Sequence, residues 1–149
     1  MSTGTASITI DRSPGEVWAA IADITRMGDW SPECIAGRWV GGATGPVVGA
    51  EFEGDNVAKV AGRTLKKWTT TSVVTASEPG TCFEFVAEGY TTWSYSFEPA
   101  GTGTRVTEKF DYTAKGFMGL VYDKLLSRPK AMTKGMQRTL ERVKVALEK

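Results

Sequence analysis

The chain has no histidine among its 149 residues. That absence removes Ser-His-Asp and Cys-His dyads, histidine-ligated zinc and iron, and the commonest general base near neutral pH. Polar chemistry must fall to carboxylates, tyrosines, lysines, cysteines or water. One carboxylate stands out by its neighbours: Glu108 lies between Val106 and Phe110 at a spacing of two. Strand side chains alternate between faces, so Glu108 shares an apolar face. An ionised carboxylate buried without partners is strongly disfavoured, so Glu108 must pair with a cation or amide, take up a proton, or face a water-filled cavity. A core ion pair with Arg38 or Arg63 is the plainest of these. A polar anchor for a ligand and a general acid or base are the alternatives. Asn56 breaks the apolar rule on its own strand in the same way.

Composition excludes several other chemistries. Lys and Arg total 18 against 17 Asp and Glu, for a net charge of +1. Nucleic-acid binders concentrate a basic excess on one face, and here only the cluster Arg63, Lys66 and Lys67 and the mixed C-terminal helix are left to consider, so no nucleic-acid partner is expected. Cys34 and Cys82 are far apart and make no metal-ligand spacing; two free thiols in a reducing compartment are expected. The run Gly41-Gly-Ala-Thr-Gly45 lacks the strand-then-helix context of a dinucleotide fingerprint. No cofactor or metal is therefore expected. Residues 1–7 carry neither a basic nor an apolar leader segment, and no stretch approaches a bilayer span. These features lead us to expect a cytoplasmic protein without membrane insertion.

The elements that must position Glu108 are legible in outline. Ile8 and Ile10 alternate with small or polar residues over 7–11, as in a short strand. Ser13-Pro14 then offers an N-cap and a proline at the first helical position, and Glu16 completes a capping box. Val17, Trp18, Ile21 and Ile24 recur at helical spacing to about residue 23 or 25. Residues 26–33 turn through Gly28 and Pro32 with Trp30 tucked beneath. Six strand-like runs follow, at 35–40, 50–56, 64–76, 82–87, 92–98 and 104–113, and their short connections imply antiparallel neighbours. Helical periodicity returns briefly at 117–126 and again, after Pro129, to the end. There Met132, Met136, Leu140, Val143 and Leu147 form one stripe, while Lys134, Arg138, Glu141, Arg142 and Lys144 spread over the rest, as on a solvated surface.

These runs predict a single α+β domain over 1–149, with a curved antiparallel sheet of about seven strands around a long C-terminal helix and short helices after the first strand. The bulky positions of each strand agree on an inward face: Phe52 with Asn56, Trp68 with Thr70, Phe83 with Phe85, Trp93 with Tyr95 and Phe97, and Val106 with Glu108, Phe110 and Tyr112. The alternate positions, among them Glu51, Glu53, Lys67, Ser96 and Lys109, are polar. Gly41, Gly42, Gly49 and Gly54 suggest a strongly bent sheet. Methionines on the helix stripe adapt to irregular space, which favours a cavity over plain core.

Several motifs together resemble a known family. They are Arg12-Ser-Pro-Gly-Glu-Val-Trp18, Asp29-Trp-Ser-Pro-Glu33, Gly37-Arg-Trp-Val40, Gly49-Ala-Glu-Phe-Glu-Gly-Asp-Asn56, Lys67-Trp-Thr-Thr70, Trp93-Ser-Tyr95 and Gly103-Thr-Arg-Val-Thr-Glu108. The chain resembles, over nearly its whole length, the START-like (SRPBCC) superfamily of polyketide cyclases, dehydrases and lipid carriers, whose fold is the helix grip of the birch-pollen allergen. Within it the motifs are similar to a subgroup of small actinobacterial proteins. The resemblance implies a cavity between sheet and C-terminal helix for lipids, sterols or polyketides. It carries over no catalytic residue, and histidine-based aromatase or cyclase sites are excluded by composition.

The leading expectation is thus a non-catalytic binding protein or carrier for a small hydrophobic molecule. Its ligand-binding candidates are Phe52, Asn56, Trp68, Thr70, Phe83, Phe85, Trp93, Tyr95, Phe97, Glu108, Phe110, Tyr112, Met132 and Met136, with Asn56, Thr70 and Glu108 fixing the ligand's polar end. The alternative is a cyclase or dehydratase using Glu108 as acid or base and Tyr95 or Tyr112 to stabilise an enolate-like oxygen. Its mark would be a Glu108 at the cavity, unpaired by arginine, with a phenol in hydrogen-bonding reach. A third reading, an interaction module around Trp30 and 117–126, would show an exposed apolar patch.

Overall fold

A computed structural model describes residues 2–112 and 128–149. Strand β1 (Ser2–Ile10) leads into helix α1 (Pro14–Ala22), a 3-10 turn at Ile24–Arg26 and a single-turn helix α2 (Met27–Trp30). Six strands follow: β2 (Cys34–Val40), β3 (Glu51–Val60), β4 (Arg63–Glu78), β5 (Cys82–Ala87), β6 (Thr91–Ala100) and β7 (Gly103–Tyr112). The last element is the 20-residue helix α3 (Arg128–Leu147). The strands form one antiparallel sheet in the order β1-β7-β6-β5-β4-β3-β2, with the first strand returning to pair beside the last. This is the expected α+β helix-grip arrangement. The expected helical stretch at 117–126 lies outside the described residues.

Local sequence accounts for most boundaries. Ser13 caps α1 by accepting a hydrogen bond from the Glu16 amide, with proline at the start of the helix. β3 and β4 run further than their hydrophobic alternation suggested, to a two-residue turn at Ala61-Gly62. Both residues there have positive φ, 52° and 80°, the pairing that matches hairpin twist. Residues 26–33 hold a helical turn rather than a plain bend. Gly28 is required in it, because a β-carbon there would collide with the Ile35 carbonyl oxygen. Trp30 is buried beneath this turn, as expected.

The source of the curvature differs from expectation. Gly41, Gly42 and Gly49 lie in the β2–β3 connection with positive φ, where they turn the chain rather than bend a strand. The sheet instead loses register at Cys34/Ala36, Ala58/Lys59 and Val74/Ala76, and such bulges add local bend and twist. Of the four glycines, only Gly54 is within a strand.

Helix α3 lies across the concave face. Met132, Met136, Leu140 and Val143 are buried along its stripe, and Leu147 is partly so. Three polar contacts fix its position. Lys144 Nζ donates to the Thr9 carbonyl at 2.8 Å, Glu148 accepts from the Asp11 amide at 2.8 Å, and Arg142 donates to the Trp30 carbonyl at 3.3 Å. α1 covers one half of the concave face, where Trp18 Nε1 donates to the Cys82 carbonyl at 2.8 Å. Under α1 and the C-terminal half of α3 the core is solid: Val17, Val74, Phe83, Val106, Leu140 and Val143 are all fully buried.

Candidate functional site

The other half of the concave face is hollow. A cavity of about 740 Å³ is bounded by β3 to β7, by Trp30 of α2 and by the N-terminal half of α3. That is within the usual range for small-molecule sites. Its walls follow the strand alternation: Phe52, Gly54 and Asn56 on β3, Lys66, Trp68, Thr70 and Ser72 on β4, Phe85 and Ala87 on β5, Thr91, Trp93 and Tyr95 on β6, and Glu108 and Tyr112 on β7. Met132 and Met136 close it from the helix. Phe52 and Phe85 meet edge to face with centroids 5.0 Å apart, forming a stiff apolar corner.

Eleven of the fourteen residues singled out from sequence are therefore brought together around one space. Phe83, Phe97 and Phe110 point to the same side of the sheet but do not line the cavity. Phe83, near the start of β5, and Phe97, near the end of β6, sit at the end of these strands that α1 covers. Phe110 packs against Trp93, with centroids 5.7 Å apart, and lies tight under Gly4 of β1. Alternation assigns a face; it does not say where along the strand the covering helix lifts away.

The floor of the cavity carries its distinctive chemistry. Tyr95 and Glu108 are direct cross-strand partners in the β6–β7 register, and the Tyr95 hydroxyl donates to Glu108 Oε2 at 2.9 Å. Glu108 is 3 % exposed and its Oε1 has no hydrogen-bond partner among the described residues. Burial pushes the Glu108 carboxyl up from 4.5 to about 8, against a smaller downward pull from the Tyr95 hydrogen bond. Glu108 is thus a neutral carboxylic acid at neutral pH. Burial first, and the adjacent Glu108 second, drive the Tyr95 phenol well above its ordinary value.

The expected ion pair of Glu108 with Arg38 or Arg63 does not form. Arg38 stands opposite Glu53 in the β2–β3 register, on the outer face, and binds Glu53 at 3.0 Å and Asp55 at 2.9 Å. Arg63 is exposed at the start of β4. Sequence offered both arginines as partners because charge is visible there and facing is not.

Asn56 and Thr70 occupy a second polar spot. Asn56 Nδ2 donates to the Gly54 carbonyl at 3.1 Å and to Thr70 Oγ1 at 3.2 Å, with the Trp68 carbonyl at 3.5 Å. Cys34 is a wall residue whose Sγ donates to the Ala36 carbonyl at 3.3 Å; burial pushes its thiol up. Both cysteines are free.

Several wall residues escaped the sequence reading. Ser72 continues the alternation of Trp68 and Thr70, and Thr91 that of Trp93 and Tyr95, so period two was signal enough for both. Lys134 and Arg138, two and two residues beyond Met132 and Met136, were assigned to the polar side of α3 yet border the cavity. Cys34, Trp30 and Met27 enter through the α2–β2 turn, and no periodicity pointed to them. Among the described residues no group of three or more acidic or cysteine side chains is placed to hold a metal ion, and no helix is long and apolar enough to cross a membrane.

Comparison with known proteins agrees with this architecture. Cgl2372, a polyketide-cyclase-like protein from Corynebacterium glutamicum, is 37% identical, with 98% of this chain and 91% of that one aligned and a TM-score of 0.67. The KanY protein superposes with a TM-score of 0.75 at 19% identity, covering 99% and 97% of the two chains. A Chromobacterium violaceum protein gives 0.73 at 14% identity, covering 98% and 97%. The last two likenesses speak for the fold alone. No curated protein matches the chain. The family described as polyketide cyclase / dehydrase and lipid transport matches residues 1–148, and this chain belongs to it.

Proposed function

We propose that the protein binds a small hydrophobic molecule in the cavity between sheet and helix α3, with the ligand's polar end at Glu108 and Tyr95. The observation that carries this reading is a cavity of about 740 Å³ with an aromatic wall and an unpartnered buried carboxyl oxygen at its floor. A buried polar atom without a partner is disfavoured by about 1–3 kcal/mol, so a ligand group that bonds Glu108 recovers that energy on binding. Phe52, Phe85, Trp93, Met132 and Met136 supply apolar burial, and the Asn56–Thr70 pair offers a second polar contact. Supporting the reading, the chain belongs to a family described as polyketide cyclase / dehydrase and lipid transport.

The experiment is native mass spectrometry of gently purified protein with extraction of any bound compound, followed by titration with an apolar fluorescent probe. Wild type is expected to bind the probe at one site, and Thr70→Trp, which fills the cavity from its half-buried wall, is expected to lose it. A protein that carries nothing and takes up no probe overturns the reading.

One observation favours a second reading, acid–base catalysis on a polyketide-like substrate. Glu108 lines the cavity, has no arginine partner among the described residues, and is met by a phenol at 2.9 Å, which is the arrangement expected of the catalytic alternative. A carboxyl held near 8 is matched to proton transfer at neutral pH. Single-turnover assays on poly-β-ketone mimics, with Glu108→Gln as control, test it; no Glu108-dependent product refutes it.

A further inference from the structure

Resting on the binding reading, we infer that the ligand is an amphipathic organic acid whose anionic group sits at the cavity mouth, held by Lys134 and Arg138. The cavity is electrically asymmetric. Its floor holds Tyr95, Glu108, Asn56 and Ser72, all buried, and no cation from the described residues lies among them. An anion placed there would be desolvated beside an acid with nothing to balance it. The rim differs. Lys66, Lys134 and Arg138 border the cavity and are exposed, and Lys134 and Arg138 lie one helical turn apart on α3. Among the described residues neither has a carboxylate or hydrogen-bond partner. Lys66 leans over the Trp68 ring, 5.6 Å from its centroid.

The two acids at the rim, Glu33 and Glu88, are outnumbered by its three cations, and Glu88 is turned to the Thr71 amide, from which it accepts at 2.7 Å. Unpaired cations on helix positions adjoining Met132 and Met136 fit a ligand that is apolar in the middle and negative at its outer end. A hydroxyl or carbonyl at the inner end then meets Glu108 and Tyr95.

A matched pair of probes tests this: 1-pyrenebutyric acid and 1-pyrenebutanol share one apolar body and differ in the terminal group. Fluorescence titrations at low salt use wild type and the Lys134→Ala/Arg138→Ala variant, both changes being on exposed positions. Wild type is expected to prefer the acid, and the variant to lower the acid-to-alcohol affinity ratio by about tenfold while alcohol binding stays within about twofold. Raising the salt is expected to weaken the acid only. An unchanged ratio with both probes bound overturns the inference and leaves the binding reading intact. Failure of both probes to bind overturns both.

Discussion

The buried Glu108 should make the protein lose stability as pH rises through neutrality. In the fold its carboxyl is raised from 4.5 to about 8, so between those values the native state holds a proton that the unfolded chain has released. The unfolded state then binds fewer protons than the native state, and unfolding free energy falls with pH at about 1.4 kcal/mol per unit. The contribution is fully present below pH 4.5 and gone above about 8. Across three and a half pH units it amounts to about 5 kcal/mol, a large share of the 5–15 kcal/mol that holds a typical domain. Glu108→Gln keeps the shape and removes the ionisation. Guanidinium unfolding of both proteins at about pH 5, 6, 7 and 8, followed by tryptophan fluorescence, gives the comparison. Wild type should fall steadily relative to the variant, by about 3.5 kcal/mol over that range, the slope easing at both ends. The slope is diagnostic, since any constant offset from the extra amide hydrogen cancels. Two stability curves that run parallel within about 0.5 kcal/mol would refute the claim that the fold keeps Glu108 neutral.

Other perturbations separate the parts of the site. Tyr95→Phe removes the hydrogen bond that pulls the Glu108 carboxyl down, so the midpoint of the pH-dependent stability loss should move upward, with destabilisation of about 1–3 kcal/mol at neutral pH; carboxyl-carbon NMR of Glu108 reads the midpoint directly. Phe83→Ala opens a void in the solid half of the core and should cost about 3–5 kcal/mol in denaturant melts, whereas Phe85→Ala, at the cavity wall, should cost less stability and weaken probe binding more. Gly28→Ala drives a β-carbon against the Ile35 carbonyl and should destabilise by about 1–3 kcal/mol, seen as a lowered thermal midpoint with the probe site otherwise unchanged.

How much of this was legible in the sequence depends on the kind of information required. Period-two alternation identified the inward face of each strand from β3 to β7, because one-sided burial writes itself into residue type. The same pattern made Phe83 and Phe85 indistinguishable, although one is solid core and the other cavity wall. What separates them is where α1 and α3 touch the sheet, a tertiary fact with no local trace. The glycines misled for a related reason. Gly41, Gly42 and Gly49 turn the chain, while the sheet bends at register slips whose residues, Ala36, Lys59 and Ala76, look ordinary in sequence. Lys134 and Arg138 were read as solvated helix surface, and exposed they are; only the hollow beside Met132 and Met136 gives them something to face.

Glu108 was recognisable as an anomaly, and its resolution bears on the choice between carrier and catalyst. Ion pairing would have made it a structural residue. Instead it sits as an uncharged acid beside Tyr95, with one oxygen unpartnered, at a site where an apolar residue of similar volume would relieve the strain of burial above neutral pH. Groups with perturbed ionisation collect at working sites, and the position of this one at the floor of the cavity gives it something to act on. Glu108→Gln then discriminates between the roles. A carrier needs a hydrogen-bonding group there, and the amide supplies one, so probe affinity should stay within about threefold of wild type. A catalyst needs a transferable proton, which the amide lacks, so turnover of a β-ketone substrate should fall by about 10²–10⁴ while binding persists. Loss of binding with no turnover in either protein would remove the catalytic role and leave Glu108 as the ligand's anchor.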